Sequence, residues 1–238
     1  MAETATGSIA DVQAIELEIC GAQVRFTGRS GGVSDGCYSS LNLSPHTGDR
    51  PAAVAENRAR AADGRPLVAV QQVHGATVVT LTSTGPGRQD EADGLVTAEH
   101  GVAAVVLTAD CLPVALATPQ AIGIVHAGWR GLLAGVLEAG VRAIRSLDPE
   151  GRLEAAIGPG AGACCYGVGP EVAEQLPHWA LAHGRADLKA VATHTLEDAG
   201  AIVVHDVGRC TICEPQSYFS HRMSGPVTGR QGGLIWRS

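Results

Sequence analysis

Apolar residues in this chain fall mainly into short continuous runs, with one stretch of helical period. Gly101 to Thr108 reads G-V-A-A-V-V-L-T, the pattern of a strand buried on both faces. Pro113–Ala117 and Ala121–Val125 follow the same pattern, with Pro119-Gln120 as a tight connection, so a hairpin is expected. Leu153–Ile157 reads as another buried strand. Ala22–Thr27, Leu67–Val70, Val78–Leu81 and segments near 201–205 and 232–236 read as further strands. Asp49-Arg50-Pro51 opens a helix to about Ala62, proline suiting a first helical turn. Leu132, Leu133, Val136, Leu137, Val141 and Ile144 recur with helical period, predicting one helix from just after Trp129 to Leu147. Two more helices are predicted at about 170–176 and 187–199. Loops are expected at Gly28–Gly32, Thr82–Glu91 and Gly158–Gly169. Residues 1–16 are polar and alanine-rich without a period, so a flexible N-terminal segment is expected there, with one domain over 17–238. Strands outnumber helices and some neighbours are hairpins, which predicts an α/β fold with a mixed, largely antiparallel sheet.

Composition narrows the function. Only 8 of 238 residues are aromatic and 17% are charged, so the core is aliphatic and a base-stacking platform for single-stranded nucleic acid is disfavoured. The formal charge is −7, and phosphate neutralisation supplies most duplex affinity, so no nucleic-acid partner is expected. Sixteen of the 17 basic residues are arginine, which makes any buried arginine a candidate for bidentate anion recognition. No run of 18 apolar residues and no export signal is visible, so no membrane association is expected. Seven cysteines without an export signal suit a reduced, cytoplasmic protein.

Three metal-ligand types sit at the ends of predicted strands: His74 after Val70–Val73, Cys111 after the run ending at Thr108, and His126 after Ile122–Val125. Strand ends share one rim of a sheet. Two imidazoles and a thiolate there would suit zinc with one open position for water or substrate. The same residues also suit a metal-free nucleophile–base pair, or three separately satisfied polar groups. Asp110 reads as a partner of the site, a general acid or a loop cap. Arg29, Arg58 and Arg130 are candidates for holding phosphate, or for surface ion pairs. Cys210-Thr211-Ile212-Cys213 is a lone C-x-x-C. Cys164-Cys165 lacks the x-x spacing, so buried thiols are expected at both rather than redox or structural-zinc ligands. Gly158-Pro159-Gly160-Ala161-Gly162 fits neither a Walker loop nor a dinucleotide fingerprint.

Several stretches together resemble one family: Gln71-Gln72-Val73-His74-Gly75, Asp93-Gly94-Leu95-Val96, Thr108-Ala109-Asp110-Cys111-Leu112-Pro113, His126-Ala127-Gly128-Trp129-Arg130-Gly131 and Gly229-Arg230-Gln231. It is the laccase-like multicopper polyphenol oxidoreductase family, also called the peptidoglycan editing factor family. The resemblance runs from about Arg25 to Trp236. It implies a single-domain layered αββα sandwich and a zinc ion, with Cu2+ as the other candidate, on His74, Cys111 and His126. It also implies purine nucleoside phosphorylase activity (inosine, adenosine, guanosine, methylthioadenosine) together with adenosine deamination. Catalytic roles then fall to Cys111, Asp110, His74 and His126, with Asp110 moving a proton, and substrate or phosphate contacts to Arg29, Asn42, Arg58, Gln72 and Arg130. The partners implied are purine nucleosides and phosphate, bound by a monomer. Trp129, Tyr166 and Phe219 are the first candidates for a wall against the purine. Cys164-Cys165-Tyr166 matches the family, but Gly167 stands where a glutamate is usual. His221 and Met223 also depart from the usual F-S-Y-R-R. A cysteine hydrolase or amidase acting on cell-wall precursors is the competing enzyme reading, and a nucleotide-binding protein the non-enzymatic one. Copper-dependent polyphenol oxidation is a further alternative. It fits poorly, because laccase chemistry needs many paired histidines and the nine here include no H-x-H.

Overall fold

Strands β1 (Ala14–Ile19) and β2 (Ala22–Thr27) pair through a two-residue turn. Cys20 and Gly21 both adopt positive φ there, 45° and 72°, which matches the twist of a hairpin. The computed structural model describes residues 14–82 and 90–238. Helix α1 (Pro51–Ala61) leads to β3 (Leu67–Ala69), β4 (Val78–Leu81), β5 (Gly94–Thr97) and β6 (Ala103–Thr108). The expected hairpin is β7 (Leu112–Ala117) with β8 (Ile122–Ala127), closed by a 2.9 Å bond from the Thr118 amide to the Ala121 carbonyl. Then come α2 (Trp129–Leu133), α3 (Val136–Leu147), β9 (Glu154–Ile157) and α4 (Pro170–Ala173). A short pair, β10 (Leu181–Ala182) and β11 (Arg185–Ala186), precedes α5 (Leu188–Asp198), and β12 (Val203–Asp206), α6 (His221–Ser224) and β13 (Gln231–Trp236) complete the chain.

Two sheets stack. One has the order β1-β2-β13-β6-β3, the other β12-β9-β7-β8-β5-β4. Among the strands of the described residues, β3–β6, β4–β5 and β9–β12 pair in parallel and the other pairs are antiparallel. The apolar runs explain the layering through the two-residue period of a strand. In β6 and β13, Ala104, Val106 and Ile235 face the second sheet, while Ala103, Val105, Leu234 and Trp236 face the α1 side. In β7, Ala115 and Ala117 face the first sheet, while Leu112, Val114 and Leu116 pack against α3 and α5. Strands β7 and β13 are therefore buried on both faces along their whole length, and the result is the single-domain αββα sandwich.

Four local expectations change. Ala14–Glu16 open β1 instead of fraying, because β2 offers them a full antiparallel ladder; residues 1–13 lie outside the described residues. The single helix over 131–147 is two, because Gly135 adopts φ 84° and ends α2 before α3 begins. Gly94–Thr97 is a fully buried strand whose short apolar content did not stand out. The helix expected at 170–176 covers only Pro170–Ala173. Of the Thr82–Glu91 loop, residues 83–89 lie outside the described residues. Among the described residues, no helix is long and apolar enough to cross a membrane.

Candidate metal centre and active-site cleft

The β7–β8 hairpin builds the centre. Cys111 immediately precedes β7 and His126 lies near the end of β8, paired in register with Pro113, so the antiparallel hairpin sets them at one edge. His74 reaches the same edge from the loop between β3 and β4. The ligand atoms of the three lie within 4.8 Å of one another, and the two imidazoles meet edge to face with centroids 4.8 Å apart. Gly128 makes room beside them: a Cβ there would lie 2.9 Å from Cys111 Sγ and 3.5 Å from His74 Cδ2.

Asp93, just ahead of β5, holds the centre from below, fully buried. Its Oδ1 accepts from His126 Nδ1 at 2.8 Å and from the His74 amide at 2.9 Å, and its Oδ2 accepts from the Gly75 amide at 2.6 Å. Burial would raise this carboxyl's pKa, but the His126 and amide hydrogen bonds outweigh burial and lower it. Binding Nδ1 leaves His126 Nε2 as the nitrogen for a metal, the arrangement in which a carboxylate fixes the tautomer of a ligating imidazole. The His74 backbone is held at φ 61°, a left-handed conformation that the two amide bonds to Asp93 maintain. Sequence reasoning placed Asp93 in a family stretch without assigning it a role. Only its pairing beside β8 (Gly94 opposite Val125) reveals one.

The centre is electrostatically poised for a cation. Burial opposes the Cys111 thiolate, yet hydrogen bonds and charge from His126 and His74 bring its pKa down to about 6. Burial likewise opposes an imidazolium at His126, but Asp93 and Cys111 raise it to about 9. The two shifts share one cause, the attraction between the Cys111 sulfur and the His126 ring. Two nitrogens and a thiolate sulfur are a donor set that fits zinc or another borderline-soft divalent ion.

A cleft of about 590 Å³ opens over the centre, within the usual range for a small-molecule site. Of the sequence-predicted residues, the structure brings His74, Asp110, Cys111, His126, Gln72 and Arg130 to it. Asp110 sits at φ 91°, not on a strand, and its carboxylate accepts from Thr211 Oγ1 and the Arg222 amide, both at 2.7 Å. Gln72 clamps the Leu107 backbone, donating to its carbonyl and accepting from its amide, each at 2.8 Å. Arg130 is exposed and stacks 4.3 Å from the Trp129 centroid. Arg29, Asn42 and Arg58 do not line the cleft, but Asn42 stands directly behind it, its Oδ1 accepting from the amides of the cleft-lining Ser44 and Arg230 at 3.1 and 2.9 Å. Arg29 donates to the Ser39 and Pro215 carbonyls over the Phe219 ring, and Arg58 donates to the Leu43 carbonyl. Asn42 is buried, with its amide tied to Thr47 and Asp49. Trp129 and Tyr166 line the cleft, whereas Phe219 is fully buried.

The structure adds Arg222, Arg230, His46 and His221 to the cleft. Arg222 lies 4.7 Å over the Tyr166 ring and donates to the Gly167 carbonyl. Burial lowers the pKa of the Arg230 guanidinium, a cost that an incoming anion would offset. Thr108 lines the cleft, and its buried Oγ1 has no hydrogen-bond partner among the described residues. The sequence signalled Arg230, within Gly229-Arg230-Gln231, and Arg222, within the stretch that matches the family's F-S-Y-R-R, without assigning either a role. His221 stood out only as a departure within that stretch, and His46 carries no local signal; the two meet at the cleft from segments 175 residues apart (46 to 221).

A family model described as multi-copper polyphenol oxidoreductase laccase matches residues 23–238. The chain belongs to this family. Similar proteins include a Pseudomonas aeruginosa protein named purine nucleoside phosphorylase, 38% identical over 90% of this chain and 94% of that one. A Streptomyces coelicolor protein of the same name is 39% identical over 91% of this chain and 96% of its own. Among solved structures, a Neisseria meningitidis protein superimposes with a TM-score of 0.83 at 34% identity, covering 95% of this chain and 99% of that one. YlmD from Geobacillus stearothermophilus gives 0.83 at 32% identity, over 91% and 92%.

Proposed function

We propose that this laccase-like chain is a zinc-dependent purine nucleoside phosphorylase that also deaminates adenosine. The observation that carries the reading is the His74–Cys111–His126 centre, braced by Asp93, at the base of a cleft bearing Arg130, Arg222 and Arg230. The relatives named purine nucleoside phosphorylase support it.

In phosphorolysis, a phosphate oxygen bonds to the ribose C1′ as the bond from C1′ to the purine breaks and its electron pair leaves with the base. Arg130, Arg222 and Arg230 would hold the phosphate, guanidinium forks suiting phosphate oxygens. Trp129 and Tyr166 would flank the purine. Thr108 Oγ1 would find its missing partner in a substrate hydroxyl. In deamination, water adds at C6 and ammonia leaves. The Asp110 carboxylate, already accepting two hydrogen bonds, is suited to take the proton released by the water. When bound to His74, Cys111 and His126, zinc supplies Lewis acidity at the cleft base. Inosine, adenosine, guanosine and methylthioadenosine are the proposed nucleosides, acted on by a cytoplasmic monomer.

The decisive assay is conversion of inosine and phosphate to hypoxanthine and ribose 1-phosphate by zinc-loaded protein, lost in Cys111→Ala. No turnover of any purine nucleoside by folded, zinc-loaded protein overturns the reading. One arrangement favours a second reading: Cys111, His126 and Asp93 also form a nucleophile–base–orienter series. A metal-free cysteine hydrolase would retain activity after chelation, whereas the proposed phosphorylase loses it. Copper oxidase chemistry has less support, since among the described residues the groups that could hold a metal contain two histidines in all.

A further inference from the structure

The four remaining clustered cysteines lie away from the cleft centre. Cys164 and Cys165 come from the loop after β9, and Cys210 and Cys213 from the segment between β12 and α6. Their sulfurs all lie within 4.8 Å of one another. Cys213 Sγ is 3.2 Å from Cys164 Sγ and 3.0 Å from Cys165 Sγ. The expectation of separately buried thiols is corrected, since Cys164 and Cys213 are exposed and Cys210 alone is buried. Adjacent cysteines reach one point because the chain turns there: the Cys165 and Tyr166 amides both donate to the Gly162 carbonyl, at 3.0 and 2.9 Å. The C-x-x-C pair closes its own turn through the Glu214 amide and the Cys210 carbonyl, and the Gly162 amide donates to Cys210 Sγ at 3.3 Å.

We propose that Cys164, Cys165, Cys210 and Cys213 form a second, structural zinc site, a tetrahedral four-thiolate clip between two loops. A zinc–sulfur bond of about 2.3 Å places tetrahedral sulfurs about 3.8 Å apart. The observed separations, from 3.0 Å to at most 4.8 Å, bracket that spacing, so small side-chain rotations suffice. Four thiolates leave no open position, so the ion holds structure and does no chemistry. The clip has a purpose in this fold. One clipped loop carries Tyr166 and Gly167, and the other carries Thr211, which donates to Asp110. The site therefore ties the loop of the cleft-lining Tyr166 to the loop that holds the cleft-lining Asp110 through Thr211, 45 residues apart (166 to 211).

Metal content per chain tests the clip separately from the cleft centre. Protein is purified under reducing conditions, its metal measured by mass spectrometry and its fold checked by circular dichroism. Wild type should carry about two zinc ions per chain, and His74→Ala/His126→Ala about one. Cobalt(II) added to the metal-stripped form of that variant should show the charge-transfer and d–d bands of a tetrahedral four-sulfur site. Cys210→Ser/Cys213→Ser should lose those bands and one equivalent of zinc. Cys164→Ser, at an exposed position, keeps three thiolates and should weaken cobalt binding at least tenfold with the fold intact. The proposal is overturned if folded His74→Ala/His126→Ala protein holds no zinc and gives no thiolate–cobalt bands, or if these cysteines are disulfide-bonded under reducing conditions. Absence of zinc from the cleft alone would count against the phosphorylase reading and leave this one standing.

Discussion

Asp93→Asn tests how the metal centre is held. The substitution preserves shape. The amide oxygen can still accept from His126 Nδ1 and the His74 amide, now without charge, but the nitrogen replacing Oδ2 turns a donor toward the Gly75 amide. Hydrogen bonds to a charged group contribute about 1.5–3 kcal/mol each, and a buried amide left without an acceptor costs about 1–3 kcal/mol. Since the amide oxygen keeps part of the first contribution, a net loss of about 2–4 kcal/mol is expected. At ~2–4 °C per kcal/mol for a chain of this size, the melting temperature should fall by ~5–15 °C. Carboxylates behind a metal-bound histidine typically control 10–100-fold in metal affinity, or about 1.4–2.7 kcal/mol. Zinc competition against a chromophoric chelator gives the affinity, and circular dichroism melting gives the stability. Affinity within about threefold of wild type in a folded variant, with a melting temperature shifted by under ~1 °C, would refute the bracing role and the assignment of Nε2 to the metal.

Other perturbations probe other parts of the site. Gly128→Ala places a Cβ 2.9 Å from Cys111 Sγ, so zinc content should fall sharply in a protein that still melts cooperatively. Arg130→Ala, at an exposed position, should raise KM for phosphate about ten- to a hundredfold with little change in melting temperature, read by steady-state phosphorolysis at varied phosphate. Thr108→Val removes a buried hydroxyl without a partner among the described residues, so stability should hold or rise while kcat/KM for nucleoside drops. Asp49 gives a pH signature. Burial would raise its pKa, but hydrogen bonds from Ser34, Asn42 and the Arg50 amide outweigh burial and hold it below 3.8. A lowered folded-state pKa contributes stability above the unfolded value and loses it as pH falls through the folded one. Urea titrations should therefore show the stability gap between wild type and Asp49→Asn shrinking below about pH 3.8.

The sequence alone determined what is local. Short, β-branched apolar runs read as strands covered on both faces, and Pro119-Gln120 between two of them closes the β7–β8 hairpin that sets Cys111 and His126 at one edge. Chemistry-bearing residues at strand ends, together with the family motifs, single out His74, Cys111 and His126 as candidates. What short-range pattern does not carry is which distant segments meet. Arg29 and Arg58 read as anion ligands because arginine chemistry is visible in sequence, but partner carbonyls at Ser39, Pro215 and Leu43 are not. Asp93 gained its role from the pairing of β5 beside β8. Cys164-Cys165 lacked the spacing of a metal pair, yet a turn and the packing of a loop 45 residues away bring all four sulfurs together. Hydrophobic period and turn chemistry act over a few residues, so sequence displays them. Sheet order and loop approach depend on burial summed over the whole core, and only the tertiary structure decides them.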